Sequence, residues 1–443
     1  FMTEITIALD AGHGGSDSGA VYKSRKEKDD TLRLTRAVGQ ILENSGINVY
    51  YVREDDEYET PFKKATDANN AGADYFISIH RNSSERPNQY NGVETLVYND
   101  SGIKAVLARN INEELEKAGF KNVTVVPEQE MPDSEFSTVG YPNPEDPKAF
   151  TLAIELAKKI DADIIVGTDP DADRVGAVVK TNDGDYVIFT GNMTGTLICD
   201  YICSQKKSAG TLPANGAIVS TIVSTDMTKA IAKEYELAYF DVLTGFKFIG
   251  QKIKEFETDN SHSYVFGFEE SYGCLSGTYA RDKDAVVATM LICELCAYYK
   301  SRGMSMYDGL MELYKKYGVY KETIKSITLK GVEGANNIIK IMNTLRQDSP
   351  AEVAGVKVIE TRDYAADTIT NLVTGETSKT GLPSSNVLYY QLEDGTWFCV
   401  RPSGTEPKIK IYFGSKADTQ EAVQAKLDKA SEGIMKIVDG ILA

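Results

Sequence analysis

The sequence is poor in histidine and cysteine: 443 residues carry three His and six Cys, and no Cys precedes Cys199. Cysteines scattered at 199, 203, 274, 293, 296 and 399 do not make the disulfide framework of a small secreted domain, so a reducing compartment fits best. Cys293 and Cys296 form a CxxC, but the surrounding MLICELCAYY has the apolar spacing of a buried helix rather than of a redox turn. No run of about 18 apolar residues is present, which removes the usual signature of a spanning helix, and no membrane partner is expected. The opening FMTEITIALD runs straight into an apolar strand without a basic leader or cleavage site, which predicts a cytoplasmic protein. Phe1 ahead of Met2 reads as an added residue and leaves room for a trimmed leader. Positive charge is also in deficit, 48 Lys and Arg against 65 Asp and Glu, and the net charge of -17 argues against a nucleic-acid partner.

The length is about three times that of a typical domain, so several cores are expected. No internal repeat is strong enough to name. From residue 5 the pattern alternates strand and helix: ITIALD, LRLTRAVGQILENSG, INVYYV, PFKKATDANNAG and YFISIH. This is the βαβα signature of a parallel sheet covered by helices. The strand GVETLVYN, the helix IKAVLARNINEELEKAG and the strand NVTVV follow, and the proline-rich stretch from Pro127 to Pro147 reads as loop. Alternation resumes with AFTLAIELAKKIDA, DIIVGTD and a hairpin turning at TNDGD, then with AIVSTIVST and helices around 285 to 315. From about residue 321 short strands alternate with two helices, the last being QEAVQAKLDKASEGIMKIVDGIL.

Two of the three histidines, His13 in DAGHGGSDSGA and His80 in YFISIHRNS, fall at the carboxyl ends of predicted parallel strands, where open α/β sheets place ligands. Glu27, in RKEKDDTLRLT, opens the first helix and can face the same edge. Two His and one Glu with a free fourth position make a catalytic zinc set, able to lower the pKa of a bound water. An isolated His more often just bonds or caps a loop. Here DAGHGGSDSGA, the EKD following Lys26, SIHRNS and GVETLVYN resemble, in order, the zinc-type N-acetylmuramoyl-L-alanine amidases that cleave peptidoglycan stems, over about residues 4 to 115. The resemblance implies that His13, Glu27 and His80 bind Zn²⁺ and that muramoyl peptides are candidate partners. Such amidases also carry a catalytic Glu in a late VEVGF-like strand, and no such segment follows Gly119. Glu94 belongs to the strand motif and Glu85 to a polar loop, so neither replaces it. Loss of a general base lowers a rate by roughly 10²–10⁴-fold.

TDPDADR places Asp169, Asp171 and Asp173 at alternate positions after a buried strand, a spacing that can converge carboxylates on a hard cation such as Mg²⁺. Alone, it leaves a solvated acidic turn as the lesser alternative. Further on, GFEESYG offers Glu269 and Ser271 to sugar hydroxyls, and LTGFK sets Lys247 after a strand end. RPSGTEPKIKIYF gathers Arg401, Ser403, Gly404 and Thr405 in one small-residue turn suited to phosphate. In order and spacing these resemble the α-D-phosphohexomutases of the phosphoglucomutase and phosphomannomutase group, from about residue 117 to 443. The resemblance implies Mg²⁺ on the three Asp, sugar contacts from Glu269 and Ser271, and phosphate contacts from Arg401, Ser403, Gly404 and Thr405. Lys247, Arg174, Arg281 and Lys283 carry over more loosely. That family also holds a phosphoserine in a TxSHNP-like loop, and this chain has no SHNP: His262 lies in DNSHSYVFG.

The expected fold is α/β: a composite amidase-like and mutase-like parallel-sheet lobe, a second α/β mutase domain and a C-terminal α+β domain. The expected boundaries are 1–116 for the amidase-like zinc segment, 117–208 for a remnant of mutase domain 2, 209–320 for domain 3 and 321–443 for domain 4. GVETLVYN can pair where a lost mutase strand lay. Three functions are in play: a mutase-derived binder of hexose phosphates, a zinc amidase, and a catalytically silent chimera.

Overall fold

The structure, a computed structural model, describes residues 5–22, 25–44, 46–80, 124–130, 133, 135–329, 331–403 and 407–443. The chain divides into two compact units, residues 1–92 and 93–443.

In the first unit, β1 (Thr6–Ala11) is followed by the two-stranded ribbon β2 (Val21–Tyr22) and β3 (Arg25–Lys26), then α1 (Glu27–Asn44), β4 (Asn48–Tyr51), α2 (Pro61–Asn70) and β5 (Tyr75–Ile79). The sheet order is β4-β1-β5 and both pairings are parallel, as the alternation predicts. The central strand buries Ala8, Leu9 and Ala11, and Val52 and Ala68 close the small core around Ala8. α1 turns Thr31, Thr35 and Gly39 inward rather than large apolar residues. Gly39 permits this close approach, because a Cβ there would stand 2.1 Å from the Tyr51 hydroxyl. α2 is started by Pro61 and by the Thr60 side chain, which accepts the Lys63 N–H.

In the second unit the first described residues differ from expectation. Residues 124–126 of the predicted strand NVTVV pair with no strand among the described residues, and α3 (Pro127–Glu130), a single helical turn, follows inside the predicted loop. Pro127 explains the change: its fixed φ suits a first helical position and it has no N–H for a ladder. A 3₁₀ turn, Pro147–Phe150, leads into α4 (Thr151–Ile160) and the antiparallel sheet β6 (Ile164–Thr168), β7 (Val175–Lys180) and β8 (Tyr186–Ile188). GVETLVYN, the strand expected to join this region to the first sheet, lies outside the described residues.

Next come α5 (Gly191–Ser208), β9 (Gly216–Thr221), α6 (Met227–Glu234), β10 (Ala238–Val242), α7 (Phe246–Asp259), β11 (Ser263–Glu269), β12 (Gly273–Ser276), α8 (Ala285–Ser301) and α9 (Met306–Tyr317). Their sheet runs β10-β9-β11-β12, parallel except for β12. α5 is buried on most of its surface, and its Leu197, Ile198 and Cys203 share one core with Val175, Ile218, Phe266 and Leu295. Cys293 and Cys296 sit on α8, unbonded and half-buried, with both thiols pushed up by burial. That matches a core helix, not a redox turn.

The last region holds β13 (Val319–Thr328), α10 (Gly331–Gln347), β14 (Glu352–Val353), β15 (Val356–Asp363), β16 (Thr368–Asn371), β17 (Thr377–Ser378), β18 (Leu388–Leu392), β19 (Trp397–Pro402), β20 (Lys408–Ala417) and α11 (Gln420–Leu442). The sheet order is β13-β20-β19-β18-β15-β16-β17, with β14 on β15, and α10 and α11 bury Ile341, Leu345, Leu427 and Ile434 against it. Ile222, Val223 and Leu243 pack on Tyr389, Trp397 and Tyr412, which ties the preceding sheet to this one. Among the described residues no helix is long and apolar enough to cross a membrane.

Candidate metal and ligand sites

Ala11 pairs with Ile79 in the parallel ladder, so the chain leaves β1 and β5 at the same edge carrying His13 and His80. His13 adopts a left-handed backbone, φ 64°, between glycines, which turns its ring back across the strand ends. Glu27, buried at the start of α1, completes a triangle. His13 Nε2 lies 3.1 Å from Glu27 Oε1, His80 Nδ1 lies 3.2 Å from the same oxygen, and the two ring nitrogens are 3.2 Å apart. The far atoms are held by other partners. Glu27 Oε2 accepts the Ala20 N–H at 2.8 Å, and His13 Nδ1 is 2.9 Å from Asp17 Oδ2. Asp17 is an acceptor only once ionised, and the His13 bond holds its carboxyl below the usual range. In the tautomer with its proton on Nδ1, His13 donates to the Asp17 carboxylate and Nε2 faces Glu27 and His80. Two glycines leave the room: a Cβ at Gly12 would fall 2.5 Å from the His80 ring, and one at Gly19 would fall 2.4 Å from His13 and 2.7 Å from Glu27.

The loop between β6 and β7 holds the second cluster. Asp169, Asp171 and Asp173 each bring a carboxylate oxygen within 4.8 Å of the other two. Asp169 Oδ1 accepts the N–H groups of Asp173 and Arg174 at 3.1 and 2.9 Å, and Ala172 turns the loop in a left-handed conformation, φ 56°. Burial, and then the neighbouring Asp173, raise the Asp169 carboxyl above its ordinary value. Lys283 reaches Asp173 Oδ2 at 2.8 Å, while Asp173 Oδ1 is buried without a hydrogen-bond partner.

This loop is tied to the GFEESYG segment by backbone: Val175 N–H donates to Tyr272 C=O at 2.9 Å. Glu269, at the end of β11, is buried and its Oε1 accepts the Gly245 N–H at 2.7 Å, which joins it to the turn before Lys247. Burial, helped by Glu270, pushes the Glu269 carboxyl up to about 7. Ser271 follows at the half-buried turn. Arg401 closes β19, and the Ser403 N–H donates to Lys408 C=O at 2.8 Å. Tyr412 of β20 stands opposite Cys399 on β19, and burial pushes its hydroxyl well above the ordinary range. Gly404 and Thr405 lie outside the described residues. Arg281 is instead paired with Glu257.

Three domains of two families match in order along the chain: N-acetylmuramoyl-L-alanine amidase over residues 7–160, phosphoglucomutase/phosphomannomutase alpha/beta/alpha domain III over 190–317, and the phosphoglucomutase/phosphomannomutase C-terminal domain over 343–430. A phosphoglucomutase of Staphylococcus aureus strain USA300 is 38% identical over 318 residues, 72% of this chain and 56% of that protein. One from strain MRSA252 is 33% identical over 432 residues, 96% of this chain and 75% of that protein. The chain belongs to the phosphoglucomutase/phosphomannomutase family. An amidase-type segment is fused to these mutase-type domains. A solved N-acetylmuramoyl-L-alanine amidase of Nostoc punctiforme is 33% identical over 20% of this chain and 51% of that chain, with a TM-score of 0.20. The chain spans 56% of the length of the first curated phosphoglucomutases it matches.

Within this mutase-family chain the structure brings His13, Glu27 and His80 together, and likewise Asp169, Asp171 and Asp173. It brings Lys283, a loose carry-over, onto Asp173, and it gives Arg281 a partner elsewhere. Asp17 and Glu270 were missed from the sequence. Asp17 stands four residues after His13, a spacing readable only if the Gly-rich loop folds back on itself. The donor sets fit the metals expected. Tetrahedral zinc with bonds of about 2.0–2.1 Å separates its ligands by about 3.3 Å, close to the triangle's edges. The all-oxygen aspartate set, with Asp173 Oδ1 buried, free of hydrogen bonds and 3.6 Å from Arg174 Nε, suits a hard cation.

Proposed function

We propose that this chain is a phosphohexomutase-derived binder of hexose phosphates. Mg²⁺ would be held by Asp169, Asp171 and Asp173, and Zn²⁺ by His13, Glu27 and His80. The observation that carries the mutase part is the aspartate cluster on a loop whose backbone is bonded to the Glu269 and Ser271 turn. Mg²⁺ there would neutralise phosphate charge. Glu269 would orient sugar hydroxyls, and Arg401 with the Ser403 to Thr405 turn would hold a phosphate by charge-assisted bonds. Lys247 joins this group through the Glu269 bond to Gly245 at its turn. Scattered free cysteines support a cytoplasmic location.

A second reading, hydrolysis of muramoyl peptides, is favoured by the His13, Glu27 and His80 triangle. Zinc there would supply Lewis acidity and lower the pKa of bound water. Amide hydrolysis also needs a base, and the nearby carboxylate of Asp17 is already engaged by His13 and the Gly19 N–H. We therefore expect zinc binding without appreciable amidase turnover.

Metal analysis of the zinc-loaded chain and a glucose 1-phosphate titration with Mg²⁺ test both parts. One zinc per chain, lost in His80→Ala, is expected, and its absence from the parent sinks the zinc assignment. A bond to a charged group is worth roughly 1.5–3 kcal/mol, so Arg401→Ala should weaken sugar-phosphate binding by about one to two orders of magnitude. Equal affinity of Arg401→Ala and the parent removes this loop as the phosphate site.

A further inference from the structure

Directly beneath the zinc-type triangle lies a buried ion pair. Lys64 of α2 and Asp10 of β1 are 5% and 4% exposed, with Nζ 2.7 Å from Oδ1. We infer that this pair is a positioning device for the two histidine ligands, an inference that rests on the zinc reading above. Both of its members reach the histidine-bearing segments. Lys64 Nζ donates to Ala11 C=O at 3.0 Å and to His13 C=O at 3.3 Å, gripping the backbone on either side of Gly12. Asp10 Oδ2 accepts from Ser78 Oγ at 2.6 Å, two residues before His80 on β5. One ionic unit thus holds the exits of both strands.

The position of His13 depends on such restraint. Its backbone is left-handed, a conformation that side-chain-bearing residues adopt only under restraint. With glycines on both sides, the loop itself supplies little stiffness. Arg53 adds to the grip: it is buried and donates to Ala11 C=O at 3.0 Å and to Gly12 C=O at 3.2 Å. Lys64 is distinct in bonding the His13 carbonyl itself while its partner Asp10 bonds Ser78 on the second strand.

Simple stabilisation of the unit is the competing account, and the two differ in what they predict. A buried ion pair replaced as a pair by neutral residues is often neutral or stabilising, whereas removing one member strands the other charge. The informative variant is therefore the double Asp10→Asn and Lys64→Met, in which the introduced amide retains an acceptor for Ser78. The full chain and this variant are compared by zinc competition against a chromophoric chelator, by the visible spectrum of the Co²⁺-loaded forms, and by urea unfolding of the metal-free forms. Loss of an outer-shell partner typically costs about 10–100-fold in metal affinity. The expected result is zinc bound about 10–100-fold more weakly with an altered Co²⁺ spectrum, while metal-free stability is unchanged or higher. Lys64→Arg, which keeps charge and donors, should restore most of the affinity. Zinc affinity and Co²⁺ spectrum equal to the parent's overturn the inference alone. A parent that binds no zinc overturns it together with the zinc reading. If the double variant fails to fold, Lys64→Arg decides: parental affinity in it supports the donors' role, and loss of zinc in a well-folded Lys64→Arg overturns it.

Discussion

At the scale of single residues, chemistry depends on which atom of a side chain is left free. Asp17 Oδ2 lies at hydrogen-bond distance from His13 Nδ1 and leaves Nε2 toward Glu27 and His80. Its carboxylate is half-exposed, so Asp17→Asn should leave the fold intact. The amide can present either end to Nδ1 and no longer fixes the tautomer, so zinc affinity should fall by about 10–100-fold. A competition titration that gives Asp17→Asn the parent's affinity shows that the loop alone orients the ring. His13, Glu27 and His80 were legible in the sequence because strand ends and a helix start have clear patterns. Asp17 was not, because its role depends on the left-handed turn at His13, which no periodicity reports. The three aspartates were legible by their alternate spacing, but Lys283 as the partner of Asp173 depends on how β12 and α8 pack beside the loop.

At the scale of elements, strands and helices with regular apolar periods fell where the pattern put them. The parallel β4-β1-β5 sheet and the TNDGD hairpin are examples. Of NVTVV only Thr124 to Val126 are described, and they are not in a strand; Pro127, which has no N–H for a ladder, follows them directly. Burial of charge was equally hidden. Glu322 stands on β13, the strand that leads from α9 into the last sheet, and accepts from Asn192 Nδ2 at the start of α5 at 2.9 Å. Burial pushes its carboxyl up to about 7. The folded state then holds a proton that the unfolded chain gives up near 4.5, so this contribution to stability is full below about 4.5 and is lost as pH rises through 7. The shift corresponds to about 3 kcal/mol at most. Glu322→Gln keeps an acceptor for Asn192 and should flatten that slope, raising stability at pH 8 more than at pH 5 in urea unfolding. Some slope should remain, since Glu269 is also pushed up to about 7 by burial. A Glu322→Gln chain with the parent's pH dependence would mean that the carboxylate is ionised in place.

At the scale of the whole molecule, the decisive question is whether this chain of 443 residues, which holds an amidase-type segment and mutase-type domains and carries no SHNP motif, turns over. We expect that it does not interconvert hexose 1- and 6-phosphates. The family resemblance implies a phosphoryl group already on the enzyme, passed in line to one hydroxyl and recovered from the other. Such a relay requires a covalent carrier, and no SHNP-type serine occurs in these 443 residues. Under the assignment proposed above, the aspartate loop, the Glu269 turn and Arg401 would position a substrate and neutralise its charge, and a backbone bond joins Val175 to Tyr272 beside the first two. Positioning and charge neutralisation lower the barrier to transfer, yet they act on a phosphoryl group that must first be delivered. A coupled assay with glucose 1-phosphate, Mg²⁺ and a bisphosphate primer should therefore read background while the binding titration reads saturation. Strong turnover abolished by Asp171→Ala would overturn the expectation and place an unrecognised phosphoryl carrier elsewhere in the chain.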